Sequence, residues 1–370
     1  MLGYPGLRVW AGGLIYDATL LTGLRAIGAV VDELPLPWFG FGYARGMAAN
    51  LKALPALTDY DLVLQDEMVH ASMVWRNQRI RRAGIPVVAL VHNLSWRQHH
   101  GLRRRLARGV ERAYLRGVDG VIAVCVSTQD DVVRTSGIGR PTVVAYAGRV
   151  EAGGRPSEAD VTARATAPGP LRLISAGVVA PHKGVHRLLD VVAAMPAGSV
   201  TLDVVGRQTE APAYVRGLRA RITAAGLDSI VRLHDEVDRQ RLGAMLASSH
   251  LFLLGSDREA YSLAALEALG AGLPCLLPDA GGSGELLGVE GRPGRTDGAP
   301  AGVAGMTLPV GDTESWVRAV SEFAADRTHL ARCAAAALAR HQAHGTWRET
   351  SQAVYEHLHV VVDAWSQVRR

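Results

Sequence analysis

The sequence predicts an α/β protein with two doubly wound, Rossmann-like domains that face a central cleft. Short β-rich runs alternate with helical stretches along most of the chain, which is typical of parallel sheets covered by helices. The alternation stops once, near the middle, and then restarts. At 370 residues the chain is long for one domain and suits two of ordinary size. Ligands of such proteins usually bind outside the carboxyl ends of the strands.

The first domain is predicted over residues 1–150. Its strand candidates are 30–34, 61–65, 86–91, 120–126 and 142–146, and its helix candidates are 15–26, 71–82, 102–116 and 128–135. A buried strand should open such a domain, yet only the run LRVW at 7–10 precedes Gly12 and Gly13. The sequence leaves open whether that strand is short or is cut by the start of the chain.

A linker is predicted over residues 151–170, which are rich in Gly, Pro and Ala and poor in large apolar residues. The second domain follows over residues 171–345. Its strand candidates are 171–177, 200–206, 230–233, 250–255 and 274–278. The last stretch, 346–370, has the apolar stripe of a long helix.

Composition argues against several classes of protein. The chain is 48% hydrophobic and 20% charged, as in globular proteins, and no run of 18 apolar residues predicts a membrane-spanning helix. The N-terminus lacks the basic start and apolar core of a signal peptide. Cys125, Cys275 and Cys333 are far apart and lack metal-ligand spacing. We therefore expect buried free thiols in a reducing cytoplasm.

Part of the net charge of +5 is concentrated in residues 96–117, WRQHHGLRRRLARGVERAYLRG, with seven arginines and one glutamate. One interpretation is a solvated helix face. The other is a patch for anionic lipid headgroups or an acidic substrate, which would place the protein peripherally at a membrane. Nucleic acid is less favoured, because no recognition motif accompanies the arginines. The patch would comprise Arg103, Arg104, Arg105 and Arg108.

Several catalytic motifs are missing from the sequence, and phosphate chemistry remains. There is no G-x-x-x-x-G-K-[ST] loop, no G-x-G-x-x-G after a strand and no H-E-x-x-H. Segment 175–184, SAGVVAPHKG, leaves a strand and enters a helix, where free backbone N–H groups favour anions. Of the 40 Lys and Arg residues, only Lys52 and Lys183 are lysines. The use of a lysine at position 183 therefore indicates that a compact ammonium binds an anion there. The alternative is that Lys183 is an ordinary surface lysine.

Two glutamates, Glu259 and Glu267, lie eight positions apart in DREAYSLAALEALGAGLP. Glu259 could close a capping box with Ser256 at the start of a helix. Glu267 could be a partly exposed helix residue. Its neighbours Ala265, Leu266, Ala268 and Leu269 are apolar, however. A carboxylate near a buried face needs a partner, and the hydroxyls of a ribose would supply one.

The stretch EAYSLAALE, followed by ALGAGLP, resembles the E-x7-E signature of retaining GT-B glycosyltransferases of family 4. The strand–KG–helix segment 171–189, VTLDVVG, HLFLLGSDREAYS and the turn DAGGSGELL are also similar to that family. In the first half, Gly12-Gly13, VVALVHN and GVDGVIAVCVST carry a more moderate resemblance. TWRETSQAVYEHL resembles the terminal helix that returns to the first domain. The resemblance covers nearly the whole chain.

This resemblance implies a metal-independent enzyme without a cofactor, which transfers a sugar from a nucleotide-diphosphate donor to an acceptor with retention at the anomeric carbon. Glu259 would hydrogen-bond sugar hydroxyls and favour oxocarbenium-like charge, and Lys183 would neutralise the leaving diphosphate. Glu267 would hold the ribose hydroxyls. His92 would line the sugar and acceptor side. The other donor-binding residues of the expected site are Gly12, Gly13, Ser262, Leu263, Gly206 and Arg207.

The sequence departs from the family's pattern at a few positions. Val178 stands where the family often has an arginine on the phosphates. The missing arginine would weaken donor binding by about 1.5–3 kcal/mol unless another cation, such as Arg207 or Arg258, replaces it. The other departures are Ala260 and Ser262 in place of glycines, and Asp235 in place of a glycine after the base-contacting strand.

Two other functions remain open from the sequence. A nucleotide-sugar 2-epimerase of similar shape would need further acid and base residues on the first domain, and none is identified. A non-catalytic GT-B protein that binds a nucleotide sugar or supports a partner transferase is favoured by Val178. The sequence does not indicate the nucleotide base, the sugar or the acceptor, which could be a glycan, a lipid-linked molecule or a small molecule.

Overall fold

The computed structural model describes residues 2–5, 12–36, 43–51, 57, 59–149, 156–289 and 303–369, without the side chains of 2–5 and 368–369. The chain divides into two compact units. Unit 1 comprises Met1–Gly148 and Gly345–Arg370, and unit 2 comprises Arg149–His344. The C-terminal segment therefore belongs to the same unit as the N-terminal part of the chain.

Unit 1 contains a parallel sheet of six described strands. They are β1 (Leu2–Pro5), β2 (Glu33–Leu36), β3 (Val63–Asp66), β4 (Val87–Val91), β5 (Gly120–Ala123) and β6 (Thr142–Val144). The strand order is β2-β1-β3-β4-β5-β6. The chain proceeds from β1 to β2 on one side and then crosses to β3 on the other. The topological switch point of this sheet therefore lies between β1 and β3.

Helices join the strands of unit 1, and the central strands β3, β4 and β5 are buried on both faces. The helices are α1 (Gly12–Ile27), α2 (Tyr43–Ala49), α3 (His70–Arg82), α4 (Gly101–Arg116) and α5 (Val126–Ser136). Along β4, Val87 and Ala89 point to one face and Val88 and Leu90 to the other, and none is more than 1% exposed. Burial on both faces is typical of a parallel sheet covered by helices.

Unit 2 contains a second parallel sheet of six described strands. The strands are β7 (Leu171–Ala176), β8 (Val200–Val205), β9 (Val231–His234), β10 (Leu251–Leu253), β11 (Cys275–Pro278) and β12 (Gly305–Leu308). The helices are α6 (Glu158–Thr166), α7 (Val185–Ala193), α8 (Pro212–Ala224), α9 (Arg239–Ser248), α10 (Leu263–Gly270), α11 (Ser283–Leu287), α12 (Thr313–Ala325) and α13 (Arg327–Gln342). Helix α14 (Trp347–Arg369) belongs to unit 1.

The second sheet has the order β12-β11-β10-β7-β8-β9, which is doubly wound. Its core lies on both faces, because neighbouring residues of one strand enter different clusters. Leu173 and Leu253 pack in one hydrophobic cluster, and Ile174 and Phe252 pack in the other. The alternation seen in the sequence therefore corresponds to two buried sheets, one in each unit.

The predicted linker over 151–170 was wrong in part, since it contains α6. Ser157 Oγ accepts the backbone N–H of Asp160, whose carboxylate in turn accepts the N–H of Ser157, so the helix begins with a capping box. Val161 and Ala165 are 0% and 2% exposed and pack in the same cluster as residues of α13. Small apolar residues four positions apart form a buried helix side without the large side chains that the prediction required.

The first two strands also differ from the expectation. The run 7–10 lies outside the described residues, and the strand that precedes Gly12 is β1 at Leu2–Pro5. The second strand is Glu33–Leu36 rather than 30–34. Val30 is 92% exposed and precedes the strand. The prediction placed this strand too early because β-branched residues such as Val30 also occur in exposed connections.

Cys125, Cys275 and Cys333 are buried and form no disulfide, as predicted. In unit 1, α14 packs along α1, where a side chain on Gly23 would lie 2.0 Å from Ser351 Oγ. The rings of Tyr16 and Trp347 are 5.1 Å apart between centroids. The small residue at Gly23 therefore lets the two helices approach closely.

Candidate functional site

The connections after β7 and β10 leave the second sheet at its topological switch point. These two strands are hydrogen-bonded neighbours, with Leu251 paired to Leu173. From β7 the chain continues to β8 on one side, and from β10 it continues to β11 on the other. Open parallel sheets bind ligands outside the carboxyl ends of strands at such a point. The two connections contain the predicted segments SAGVVAPHKG and DREAYS.

Lys183 and Glu259 meet at this switch point. Lys183 ends a short 3₁₀ turn, Pro181–Lys183, after β7. Glu259 lies in the connection between β10 and α10. Lys183 Nζ is 2.7 Å from Glu259 Oε1, and the side chains are 27% and 9% exposed, respectively. The structure therefore places a nearly buried carboxylate against an ammonium that is accessible from outside.

Ser256 binds the Glu259 carboxylate, and Ser262 caps the helix that follows. Ser256 Oγ donates to Glu259 Oε1 at 2.5 Å and is itself buried. The capping box of Ser256 and Glu259, which was the alternative interpretation of this segment, is not formed, because α10 begins only at Leu263. Ser262 is its N-cap and accepts the N–H of Ala265. Glu259 therefore lies outside the helix, and its carboxylate faces Ser256 and Lys183.

The turn after β11 fixes the backbone of Glu259. Glu259 N–H donates to Ala280 O at 3.2 Å, and Gly282 N–H donates to Glu259 O at 2.9 Å. Between them, Gly281 has a φ of +88°, and a Cβ there would lie 1.8 Å from Glu259 O. Only glycine fits this position without strain. The segment DAGGSGELL therefore holds the backbone of Glu259, the candidate catalytic residue.

Arg187 and Gly184 hold the two connections together, and sequence analysis missed Arg187. Its guanidinium donates to Gly255 O at 2.7 Å and to Asp257 Oδ1 at 2.6 Å. Gly184 has a φ of +64°, and a side chain there would lie 1.8 Å from Gly255 O. The spacing of Arg187, four residues after Lys183 in the first turn of α7, is the only signal that could have indicated it.

Glu267 is less buried than its neighbours indicated. It lies on α10 with its side chain 37% exposed, 3.2 Å from the guanidinium of Arg239. Leu266 and Ala268 beside it are buried. Adjacent helix residues differ by about 100° around the axis, so Glu267 can leave the core between two buried neighbours. Besides the expected ribose hydroxyls, the Glu267 carboxylate therefore has Arg239 as a partner, which the sequence did not indicate.

Gly206 and Arg207 follow β8 and lie beside the connection after β7. A side chain on Gly206 would be 1.9 Å from Gly177 O. The guanidinium of Arg207 is 3.2 Å from Glu236 and 3.7 Å from Glu210. Arg207 is a candidate replacement for the missing phosphate arginine, and in this structure its charge is shared with two carboxylates.

In unit 1, His92 follows β4 and lies among acidic residues. His92 Nε2 is 2.8 Å from Asp17 Oδ1 of α1. Its backbone N–H donates to Glu67 Oε2 at 2.9 Å. A Cβ on Gly13 would lie 3.4 Å from the imidazole, so the start of α1 passes close to the ring. The structure thus brings Gly13 and His92 together.

The ionisation of this cluster follows from burial and mutual charge. Burial opposes the charged form of His92, but the charge of Asp17, the hydrogen bond to it and the charge of Glu67 raise the pKa of His92 to about 9. Burial is also the main cause that raises the pKa of Asp66 and of Glu67. Sequence analysis missed Asp17, Asp66 and Glu67, although the run Gln65-Asp66-Glu67 at the end of a predicted buried strand was a signal.

Helix α4 contains most of the arginine-rich segment. The Arg97, Arg104 and Arg108 guanidiniums lie 4.4, 4.8 and 5.1 Å from the centroid of the Trp96 ring. These distances are within the range of cation–π contact. Arg104 and Arg108 therefore stabilise unit 1 by covering Trp96, which is one structural role for part of the predicted patch.

Two features of possible ligand or membrane sites are absent from the described part of the chain. No three His, Cys, Asp or Glu side chains stand together in a way that could hold a metal ion. No helix within the described ranges combines the length and the apolar character required to cross a membrane.

The fold is the GT-B fold that glycosyltransferases share. Two solved structures have the same fold over nearly their whole length. Anabaena Alr3699/HepE in complex with UDP-glucose has a TM-score of 0.73 and 19% identity, with 97% of this chain and 99% of that chain covered. Sucrose-phosphate synthase from Thermosynechococcus elongatus has a TM-score of 0.74 and 18% identity, with 98% and 99% covered. The predicted α/β class with two doubly wound, Rossmann-like domains is confirmed.

The chain belongs to the family described as "Family 4 Glycosyltransferase in conflict systems", whose model matches residues 89–354. The model "Glycosyltransferase Family 4" matches residues 15–149. These matches confirm the family that the sequence motifs resemble.

A glycogen synthase of Mycobacterium tuberculosis is 28% identical over 236 residues. That alignment covers 61% of this chain, and this chain spans 54% of the length of that relative.

Proposed function

We propose that the protein is a retaining glycosyltransferase that moves a sugar from a nucleotide-diphosphate sugar to an acceptor without a metal ion. The contact between Lys183 and Glu259 at the switch point of unit 2 carries this proposal. A transfer without a metal needs fixed cations and N–H dipoles for the departing diphosphate, and a negative environment for the sugar carbon. Lys183 and Glu259 supply one of each at the same place.

Lys183 is assigned to the diphosphate. Its ammonium has three N–H donors, so it can keep Glu259 as a partner and still donate to a phosphate oxygen. The first turn of α10, which begins at Leu263 after the N-cap Ser262, adds free N–H groups and the positive end of a helix dipole. Together these groups stabilise the charge that grows on the leaving group.

Glu259 is assigned to the sugar. Its carboxylate is fixed by Ser256 and by the turn that contains Gly281, so it requires little reorganisation when positive charge develops at the anomeric carbon. Retention would follow if the nucleotide diphosphate leaves and the acceptor attacks on the same face of the sugar. Glu267 is assigned to the ribose hydroxyls, with Arg239 orienting its carboxylate.

Uracil is the base that we propose first. Anabaena Alr3699/HepE shares the fold and binds UDP-glucose. In unit 1, Gly12, Gly13 and His92 are assigned to substrate binding on the strength of the family resemblance. The acceptor could be a glycan, a lipid-linked molecule or a small molecule.

The first experiment is a thermal stability measurement with UDP, GDP, ADP and their common sugars. A ligand that binds only the folded state stabilises it by about 2.7 kcal/mol at a hundred times its dissociation constant. We expect stabilisation by one nucleotide class, lost in Lys183→Ala. Arg216→Ala is the matched control, because Arg216 is an exposed cation of the same unit on α8. Stabilisation that is equal in Lys183→Ala would refute the role of Lys183.

The two alternatives are separated by their products. Transfer yields a glycoside and a nucleotide diphosphate, whereas a nucleotide-sugar 2-epimerase needs no acceptor. A non-catalytic GT-B protein would bind the donor and release neither product. Val178, in place of the family's phosphate arginine, is the feature that favours this third function.

We also propose that α4 lies on an anionic membrane surface. Leu102 and Leu106, four positions apart, are 72% and 58% exposed, on the side opposite the buried Ala107 and Glu111. Exposed arginines adjoin this apolar stripe, including Arg105, for which the described residues offer no acidic partner. An outward apolar stripe beside cations suits a negatively charged bilayer surface.

Vesicle sedimentation tests this contact, with phosphatidylcholine vesicles that contain or lack phosphatidylglycerol. We expect binding only with phosphatidylglycerol, lost at about 1 M salt, where screening acts within about 3 Å. Leu102→Ser with Leu106→Ser should abolish binding. Val360→Ser, which removes an exposed apolar residue of α14, is the control. Absence of binding at low salt would refute the contact and leave α4 as a solvated helix.

A further inference from the structure

Three carboxyl groups and one imidazole form a buried cluster in unit 1. Asp17 is 5% exposed, Asp66 1% and Glu67 8%. His92, with 15% of its side chain exposed, is the one basic group for which contacts with these carboxyls are described. The cluster lies at the carboxyl ends of β3 and β4, beside the first turns of α1. It is therefore at the edge of the first sheet where ligands of such folds bind.

Asp17 holds one nitrogen of His92. The 2.8 Å contact joins Asp17 Oδ1 and His92 Nε2, so a proton lies on Nε2 and is donated inward. The ring also meets Tyr16 edge-on, with centroids 5.1 Å apart. Its backbone is fixed on both sides, because Glu67 accepts the N–H and Thr128 donates to the C=O. Nδ1 is then the nitrogen that can serve a substrate.

The surroundings favour a charged imidazole. From α1, His92 meets the carboxylate of Asp17 and the phenol of Tyr16. From the end of β3, it meets Glu67, which is next to Asp66. The pKa of Tyr16 is raised by burial and by Asp17, so that phenol stays neutral.

Asp17 Oδ2 is also buried and accepts no hydrogen bond from any described residue. The pKa of Asp66 is raised well above its ordinary value by burial, by the charges of Glu67 and Asp17 and by the Asp17 carboxyl, with which it can share a proton. Asp66 Oδ2 is orphaned in the same way. A proton on Asp66 would join Asp17 Oδ2 and Asp66 Oδ2 in one hydrogen bond. Asp17 would then be the carboxylate that faces His92, supported from behind by a neutral acid.

We propose that Asp17 is a positioning residue that holds His92 as an imidazolium, with Nε2 turned inward and Nδ1–H left as the donor to the substrate. This proposal rests on the assignment of His92 to substrate binding. It gives His92 the role of a fixed cationic hydrogen-bond donor. A general base is excluded by the same arrangement, because neither nitrogen has a free lone pair at neutral pH.

The charge state of His92 can be measured without any substrate. The test uses the full chain labelled with ¹⁵N-histidine, with His92 assigned from the spectrum of His92→Gln. We expect the wild-type His92 signals to report an imidazolium at pH 7 and to titrate near pH 9. A neutral His92 at pH 7 in the wild type would overturn the proposal, whatever the variants do.

Asp17→Asn keeps the shape and removes the charge. We expect the titration of His92 to move down by about two pH units or more, since burial then acts without the opposing carboxylate. Asp131→Asn, which removes a buried carboxylate paired with Arg97 elsewhere in unit 1, should leave it unchanged. An unshifted titration in a folded Asp17→Asn would overturn the proposal.

Activity separates this proposal from the proposed function. If the protein transfers sugar, kcat/KM should fall on the alkaline side as His92 loses its proton, and Asp17→Asn should move that fall to lower pH by the same amount. An alkaline limb that does not move with Asp17→Asn would overturn the substrate role of His92. If the wild type has no transferase activity, the proposed function fails, and the titration still tests how Asp17 holds His92.

Discussion

Lys183 Nζ and Glu259 Oε1 are 2.7 Å apart although the two residues are 76 positions apart in the chain. Neither residue belongs to a regular strand or a long helix. Each lies in a connection that begins at the carboxyl end of a neighbouring strand, β7 or β10. The parallel pairing of these strands thus creates the contact, and Ser256 and Gly281 fix its acidic partner.

Replacement of Glu259 tests its assigned role at the sugar. We expect Glu259→Gln to lower kcat by a factor of about 10²–10³, the usual loss when one preorganised electrostatic group is removed from a reacting centre. Donor affinity, measured by thermal shift with the nucleotide diphosphate, should change little. Turnover like that of the wild type in Glu259→Gln would contradict the assignment.

Glu267→Ala should act on binding instead. The loss of ribose contacts would raise KM for the donor by roughly tenfold, equivalent to about 1.4 kcal/mol, with kcat nearly unchanged. Arg239→Ala is expected to have a smaller effect in the same direction, because Arg239 only orients the carboxylate. Steady-state kinetics with varied donor would measure both. A lower kcat at unchanged KM in Glu267→Ala would place Glu267 in the chemical step.

Gly281→Ala should destabilise unit 2 and disturb Glu259. A φ of +88° strains any other residue, and the new Cβ would collide with Glu259 O. We expect a loss of about 2 kcal/mol or more, or a fall of roughly 4–8 °C in Tm.

Gly217→Ala is the matched control for this substitution. It lies within α8 with open space around its Cβ position. It should stabilise the protein by about 0.5–1 kcal/mol, because alanine favours a helix interior. Equal melting temperatures for Gly281→Ala and the wild type would show that the turn can relax.

The stability of unit 1 should decrease as pH rises through 9. His92 has a pKa raised from 6.5 to about 9 in the folded protein. A raised pKa stabilises the folded state fully below the unfolded value of 6.5, and this contribution is lost as the pH passes the folded value. The shift corresponds to an effect on the order of 3 kcal/mol.

Urea unfolding between pH 6 and 10, compared for the wild type and Asp17→Asn, measures this contribution. The difference in stability between the two should be largest at pH 6 and should shrink toward pH 10. Asp131→Asn serves as the control for the loss of a buried carboxylate. A difference that stays constant with pH would mean that Asp17 stabilises unit 1 by packing alone.

The fold and part of the site could be predicted because their signals are local. Hydrophobic runs separated by helical stretches predicted parallel sheets, and both sheets are present. The position of Lys183 after a strand and before a helix indicated an anion site. The glutamate spacing and the glycine-rich turn matched a family pattern that covers these residues directly.

Local patterns led to wrong predictions where the same sequence pattern is compatible with two different structures. The alanine-rich segment around Val161 was interpreted as a linker and is part of α6. Ser256 and Glu259 have the spacing of a capping box, but their side chains bond to each other outside a helix, while Ser262 caps α10. Packing decided each case, because the hydrogen bonds of a cap or a helix gain only about 1 kcal/mol on their own.

By itself, the sequence determined the succession of strands and helices, the family and the two segments that hold Lys183 and Glu259. Only the tertiary structure decided that these side chains touch, that Glu267 turns to Arg239 and that Asp17 holds His92 from 75 positions away. Helix and strand periodicity relates only residues that are close in the chain, so it cannot predict these contacts. Their contact depends on the order and register of strands, which the burial of whole sheet faces decides collectively.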